Sequence, residues 1–312
     1  MRTYIVQRIL LSVPVILGVS LLVFSLVRLL PGDPAIAVAG VHATPEYIRQ
    51  VREELALDKG LHIQFYLFAA NLLRGDLGTS TFYKRPVSDI LLERFPRTLE
   101  LTVAALLLAT LLGISAGIAS AVKRHSLIDN ISMLASLAGL AAPVFWLALM
   151  LQLFFAVHLG LFPSAGSGTF WHLVLPSITL GAASAGLLAR MTRSSMLEVL
   201  RQDYITTARA KGLSEKMVIG KHALKNALIP VLTVLGLQFG SLLGGAVLTE
   251  TVFAWPGVGR LLVDAILTRD YPVIQGTVLV LSVSFVGINL FVDILYAFLD
   301  PRIRFDAKGG GV

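Results

Sequence analysis

The chain has 312 residues, 55% of them hydrophobic and only 14% charged, with a formal net charge of +7. Soluble domains carry about 25% charged residues, so this much apolar surface does not fit a single water-soluble core, and a bilayer is the better solvent. With no cysteine in the chain, disulfides, thiolate catalysis and cysteine metal sites are excluded.

Arg2 and Arg8 open an apolar run from Ile9 to Leu30, 22 residues long. As a helix rising about 1.5 Å per residue, it crosses a hydrocarbon core of about 30 Å. A secretory leader starts in the same basic way but has a core of about 7–15 residues. A retained span is therefore expected, although Ala37, Val38 and Ala39 resemble a cleavage site. Further spans are expected at Leu99–Val122, Ile131–Leu161, Leu173–Ala189, Leu228–Val252 and Val273–Leu299. The Leu173–Ala189 stretch is the weakest, being short and interrupted by Pro176, Gly181 and Gly186. The fold class expected is an all-α integral membrane protein of about six transmembrane helices, forming one domain over residues 1–312.

Between the first two spans, residues 31–97 form an external helical loop. Thr44, Pro45 and Glu46 read as an N-cap, a first-turn proline and a first-turn acid. Ile48, Val51 and Leu55 then share a face, and a second helix over Phe65–Leu73 closes at Gly75. This loop reads equally as a subdomain that touches a partner and as helices lying on the outer leaflet.

Gly113 and Gly117 in the second span, and Gly236, Gly240 and Gly244 in the fifth, recur at four-residue spacing. In lipid such spacing lets helix backbones approach, either in a static seam or in one that slides. Gly113-Ile-Ser-Ala-Gly117 also matches a nucleophile-elbow pattern, but that elbow needs a strand-to-helix turn and this motif lies inside an apolar helix.

Lysine and arginine set the orientation. Lys123 and Arg124 lie between spans two and three; Arg190, Arg193, Arg201, Arg209, Lys211, Lys216, Lys221 and Lys225 lie between spans four and five; Arg302, Arg304 and Lys308 lie in the tail. Both termini are thus expected in the cytoplasm. The residue 31–97 loop carries eight basic residues, but eight acids balance them, and a loop this long escapes the rule. The basic segment at about 190–228 is expected to be a helix–turn–helix. Met196, Leu200, Tyr204 and Ala208 fall near one face, Gly212 closes the first helix, Ser214 caps a second over Lys216–Asn226, and Pro230 opens the fifth span. Taken as charge alone, this face would meet anionic headgroups, each basic residue contributing about 1 kcal/mol.

Near the ends of the last two spans, Glu250 stands alone, while Asn289 and Asp293 share a face. Carboxylates in spans are costly and turn toward a cavity, a partner helix or an interface, so these three are candidates for a translocation path. The sequence contains neither a His-Glu-x-x-His pair nor a Gly-x-x-x-x-Gly-Lys-Ser/Thr loop, so ATP hydrolysis is not expected on this chain.

Tyr204-Ile-Thr-Thr-Ala-Arg-Ala-Lys-Gly212, followed by His222-Ala-Leu-Lys-Asn-Ala-Leu-Ile-Pro230, resembles the EAA loop of bacterial ABC importer permeases of the dipeptide, oligopeptide, glutathione and nickel branch. Leu30-Pro-Gly-Asp-Pro34, Gly75-Asp-Leu-Gly-Thr-Ser80, Arg85-Pro-Val87, Thr249-Glu-Thr-Val-Phe-Ala-Trp-Pro-Gly-Val-Gly259, Arg269-Asp-Tyr-Pro272, and Asn289 with Asp293 resemble that family in the same order. Thr206 and Thr207 depart from the general Glu-Ala-Ala pattern, and Lys225 from its Leu-Pro, as the peptide branch allows. The resemblance implies the type I permease fold and a place in the bacterial plasma membrane. It implies a coupling helix in which Tyr204, Thr207, Ala208, Arg209, Ala210, Lys211 and Gly212 meet an ATPase. It also implies, as partners, a homologous second permease, two ATPase subunits that hold ATP and magnesium, and an extracytoplasmic binding protein, with no cofactor on this chain and no nucleic acid. Dipeptides or short peptides are the implied cargo, glutathione or nickel the alternative within the class, and a passive channel the rival outside it.

Overall fold

The computed structural model describes residues 2–29, 34–40, 43–54 and 56–299. Among these, thirteen helices follow one another, and an isolated antiparallel bridge between Thr79 and Pro86 is the only strand-like pairing. The order is α1 (Arg2–Leu29), α2 (Pro34–Ala39), α3 (Pro45–Glu54), α4 (Leu61–Leu73), α5 (Val87–Val122), α6 (Leu127–Ala141), α7 (Val144–Leu151), α8 (Phe170–Val199), α9 (Asp203–Ala210), α10 (Glu215–Met217), α11 (Leu224–Val252), α12 (Val258–Thr268) and α13 (Tyr271–Leu299). Four are long and apolar enough to cross a membrane: α5, α8, the continuous helix from α10 through α11, and α13. The pair α6–α7 makes a fifth crossing if its two arms count as one. The backbone of α1 adds a helix of 28 residues.

The span expected at Ile131–Leu161 is broken. The α6 and α7 arms meet at 110°, and α7 runs on into a π-helical turn over Gln152–His158. The cause is Pro143. It forces Ala142 out of the helical region (φ −70°, ψ 126°) and then opens α7. The unbroken stretch would also have measured about 46 Å at 1.5 Å per residue, too long for the hydrocarbon core.

The stretch that looked weakest is the hub. Helix α8 is unbroken over 30 residues, contains Pro176, and packs against α5, α6 and α11. The features that weakened it in sequence are what let its neighbours in. A Cβ on Gly181 would lie 2.7 Å from the Ala105 carbonyl oxygen of α5, and one on Gly186 would overlap the Ser136 carbonyl of α6. Backbone contact of this kind replaces the hydrophobic drive that lipid cannot supply.

In the loop before α5, Thr44 accepts a hydrogen bond from the Tyr47 amide at 3.4 Å and Gly75 takes φ +76°, as the cap and stop signals predict. Helix α4 starts at Leu61, four residues ahead of the expected Phe65, and α5 starts twelve residues ahead of the expected Leu99.

Candidate functional site

The chain leaves α8 at Val199, crosses Leu200–Gln202 outside any helix, and re-enters helix as α9. It then reverses at Gly212 and enters α10. The reversal requires a residue at φ +75°, where a side chain would be strained. The Gly212 amide donates to the Arg209 carbonyl at 2.9 Å, and the Leu213 amide to the Ala208 carbonyl at 3.4 Å. Ser214 occupies the N-cap of α10, but its side chain makes no capping bond. The Met217 and Val218 amides instead donate to its carbonyl at 2.9 and 3.0 Å. From Glu215 the helix continues through a π-helical turn at Val218–Ala223 into α11, so Pro230 lies inside a helix and does not open one.

This elbow has a core of its own. Met196, Ile205, Ala208, Val218, Ala223 and Ala227 are buried together with Ala121 of α5. Because the helix breaks at Leu200–Gln202, Ile205, and not Tyr204, is buried on the face of Met196 and Ala208. Tyr204 is 42% exposed, and its hydroxyl accepts a hydrogen bond from Asn226 Nδ2 at 2.8 Å, tying α9 to α11. Ala208 is also inward (6% exposed), so it supports the elbow from within and presents no contact surface. Thr207, Arg209, Ala210, Lys211 and Gly212 form the exposed tip. Across the tip, Arg209 donates to Glu215 through Nε at 2.7 Å and through a terminal nitrogen at 3.3 Å, and these bonds raise the guanidinium pKa further above its ordinary value. The result is a small-tipped basic projection braced at Arg209–Glu215 and at Tyr204–Asn226.

The glycine sets divide. A Cβ on Gly113 would lie 2.7 Å from the Ala185 carbonyl oxygen, and one on Gly117 would lie 2.6 Å from that of Ala189, so both close α5 onto α8. On α11, Gly236 abuts Val292, while a Cβ on Gly240 would lie 3.2 Å from Phe285 and 3.5 Å from Asn289 Oδ1, both on α13. Gly244 leaves that seam. A Cβ there meets nothing within 4 Å.

Glu250, a candidate for the translocation path, is fully buried. The Thr98 hydroxyl donates to Oε1 at 2.5 Å and the Arg260 amide to Oε2 at 3.0 Å, while the Val258 amide donates to the Thr98 oxygen at 2.8 Å. The carboxylate thus sits at the N-terminus of α12, where the free amides and the helix dipole favour negative charge. Trp255 reinforces the joint through Nε1, which donates to the Arg97 carbonyl at 2.9 Å. Asn289 is half-buried beside Gly240, and the Asp293 side chain lies outside those described.

Two polar joints had no counterpart in the sequence reading. Asp270, fully buried between α12 and α13, accepts from the Ser80 hydroxyl at 2.5 Å and from the Thr81 and Phe82 amides at 3.2 and 3.1 Å, anchoring the turn before α5. Asp129 of α6 receives a forked pair of bonds from Arg193 of α8, at 2.7 and 2.9 Å. Arg193, counted in sequence among the cytoplasmic charges, is thus an interhelical partner of Asp129. Ser126-Leu-Ile-Asp129, a serine three residues before an acid at a helix start, was the available local signal.

Two family descriptions cover most of the chain: the N-terminal segment of the binding-protein-dependent transport system membrane component over residues 1–102, and the binding-protein-dependent transport system inner membrane component over residues 109–305. The chain is 49% identical to the glutathione transport system permease protein GsiC of Salmonella typhimurium strain LT2, covering 98% of this chain and all of that one. It is 47% identical to the dipeptide transport system permease protein DppB of Alkalihalophilus pseudofirmus, with the same coverage. Among solved structures, the inward-facing MetNI methionine ABC transporter matches with a TM-score of 0.57 at 22% identity, over 68% of this chain and 96% of that one, a likeness of fold. The chain belongs to the family of binding-protein-dependent transport system inner membrane components, and it is a permease subunit of an ABC importer in the bacterial inner membrane.

Proposed function

We propose that this subunit carries short peptides, dipeptides or the tripeptide glutathione, inward across the membrane, driven by separate ATPase subunits that grip the elbow at Arg209–Gly212. The observation that carries this reading is the elbow itself. A rigid projection with its own apolar core ends in a tip of small and basic residues, which suits docking into a groove on another protein. A headgroup-binding face needs neither a left-handed glycine nor two cross-braces. The basic residues exposed there, Arg201, Arg209, Lys211, Lys216, Lys221 and Lys225, support a cytoplasmic location for the elbow and for both termini.

A homologous second permease would complete the path. Leu237, Ser241, Gly244 and Leu248 form one exposed stripe along α11, and its small members suit close approach by another helix. An extracytoplasmic binding protein would deliver the peptide at the opposite end. ATP and magnesium belong to the ATPase subunits in this scheme. ATP binding pairs those subunits, the elbow conveys their movement, and the substrate shifts the equilibrium only through its different affinity for the two states.

The test is uptake of labelled dipeptide and of glutathione into vesicles bearing the complete importer. The expected result is uptake of one or both that requires internal ATP, with ATPase subunits co-purifying at fixed ratio. Conduction without nucleotide, or a permease that purifies free of any ATPase, would favour a passive channel.

A further inference from the structure

We propose that Asp129, Arg193 and Ser120 form the joint through which movement of the elbow enters the spans. The inference rests on the elbow being the ATPase contact and adds the residues that transmit its motion.

The geometry begins in the elbow core. Three residues of that core come from long helices, Ala121 on α5, Met196 on α8 and Ala227 on α11. The joint lies directly beside the first two. Ser120 precedes Ala121, and Arg193 stands one turn before Met196. The Ser120 hydroxyl donates to Asp129 Oδ1, and Arg193 Nε lies 3.0 Å from the Ser120 oxygen and 2.7 Å from Asp129 Oδ1. A second Arg193 nitrogen donates to Asp129 Oδ2 at 2.9 Å. The His125 amide, in the left-handed turn between α5 and α6, donates to the same oxygen at 2.9 Å. One carboxylate thus collects α5, the α5–α6 turn, α6 and α8.

Helix α6 contributes nothing to the elbow core, so it follows the elbow only through its neighbours. Its far half is seated on α8, where a Cβ on Gly139 would lie 2.9 Å from the Ala182 carbonyl oxygen. Its near end is held by the carboxylate clamp. With both ends pinned, α5, α6 and α8 displace together when α9 is pushed, and α6 carries the displacement to the 110° bend at Pro143. A forked arginine–carboxylate pair suits this task. It fixes orientation as well as distance, and a lone charge left by removing one partner is poorly solvated because Asp129 is only 3% exposed.

The experiment uses the complete importer in liposomes with its binding protein and labelled peptide. It measures peptide moved per ATP hydrolysed, together with the unfolding temperature of each complex. Asp129→Asn and Arg193→Gln should each lower that ratio by about tenfold, with ATP hydrolysis retained, and the double variant should be no worse than either single one. Ser120→Ala, which removes only a hydroxyl, should assemble normally and lower the ratio by about two- to fivefold. Arg190→Gln, at an exposed arginine one turn earlier on α8, should leave it unchanged. A fall in unfolding temperature with a wild-type ratio in the surviving complex would make the clamp a static brace and overturn the proposal. Should the charged-pair variants fail to assemble, a wild-type ratio in Ser120→Ala overturns it equally. Arg209→Glu, run alongside, separates the two readings. If it uncouples while the clamp variants do not, the joint falls and the elbow stands; if it leaves the ratio intact, the elbow reading falls with it.

Discussion

Arg209→Glu is expected to uncouple ATP hydrolysis from peptide uptake, lowering peptide moved per ATP by about tenfold or more, with the subunit still inserted and assembled. Two effects act together. The substitution removes a cation from the tip, and it sets a carboxylate opposite Glu215, where a forked ion pair had closed the turn. The exchange Arg209→Glu with Glu215→Arg separates them. If the residue serves chiefly as an internal brace, the exchange restores coupling to within about twofold. If it serves chiefly as the contact, the exchange leaves coupling as poor as the single variant, because the cation has moved to the other side of Gly212. Peptide uptake and phosphate release measured in one preparation read both outcomes.

The second large effect is expected at the opposite end of α11. Glu250→Ala should destabilise the purified chain by about 3 kcal/mol, since it leaves the Thr98 hydroxyl and the α12 amides buried without an acceptor and opens a cavity among them. Gly257→Ala should be comparably harmful by another route, because any Cβ at position 257 overlaps the Glu250 carboxyl, which has nowhere to move while it holds Thr98 and the Arg260 amide. Thermal unfolding in detergent and the steady-state level in the membrane read both. A change of about 0.5 kcal/mol or less in Glu250→Ala would mean that the carboxylate is not the keystone of the α5–α11–α12 joint. As that keystone, Glu250 acts by fixing α12, and its loss should lower transport and stability in parallel. Loss of the elbow brace should instead lower transport at constant stability.

The parts of this molecule that the sequence revealed are those governed by short-range rules. Gly212 was legible as a reversal because a left-handed residue ending a basic helix leaves few alternatives, and Thr44-Pro45-Glu46 was legible as a helix start. Gly113 and Gly117 were legible as a close-approach pair, although their partners on α8 were not. What the sequence hid depends on distant residues or on a break in period. Glu250 is recognisable as a costly intramembrane carboxylate, but Thr98, which holds it, is 152 positions away. Asp129 and Arg193 are 64 positions apart, and Arg193 read as one more positive charge in a basic segment. Tyr204 was read on one face with Met196, Leu200 and Ala208, but three residues outside any helix, Leu200–Gln202, reset the phase, and Ile205 is the residue buried with Met196 and Ala208. Gly181 and Gly186 looked like faults in a span. Only the presence of α5 and α6 shows them to be the seats of two neighbours. Composition could not show that the Pro143 break turns a long apolar stretch through 110°.

The central claim is that the elbow lies in the cytoplasm and is held by an ATPase subunit. The chain has no cysteine, so Lys211→Cys introduces a unique thiol at the exposed tip. In the assembled importer this thiol should resist a membrane-impermeant maleimide added to intact cells, react in inverted vesicles, and form a short cross-link to the ATPase subunit whose yield changes when ATP is bound. Labelling of intact cells at that position, with no cross-link to any ATPase, would contradict the account.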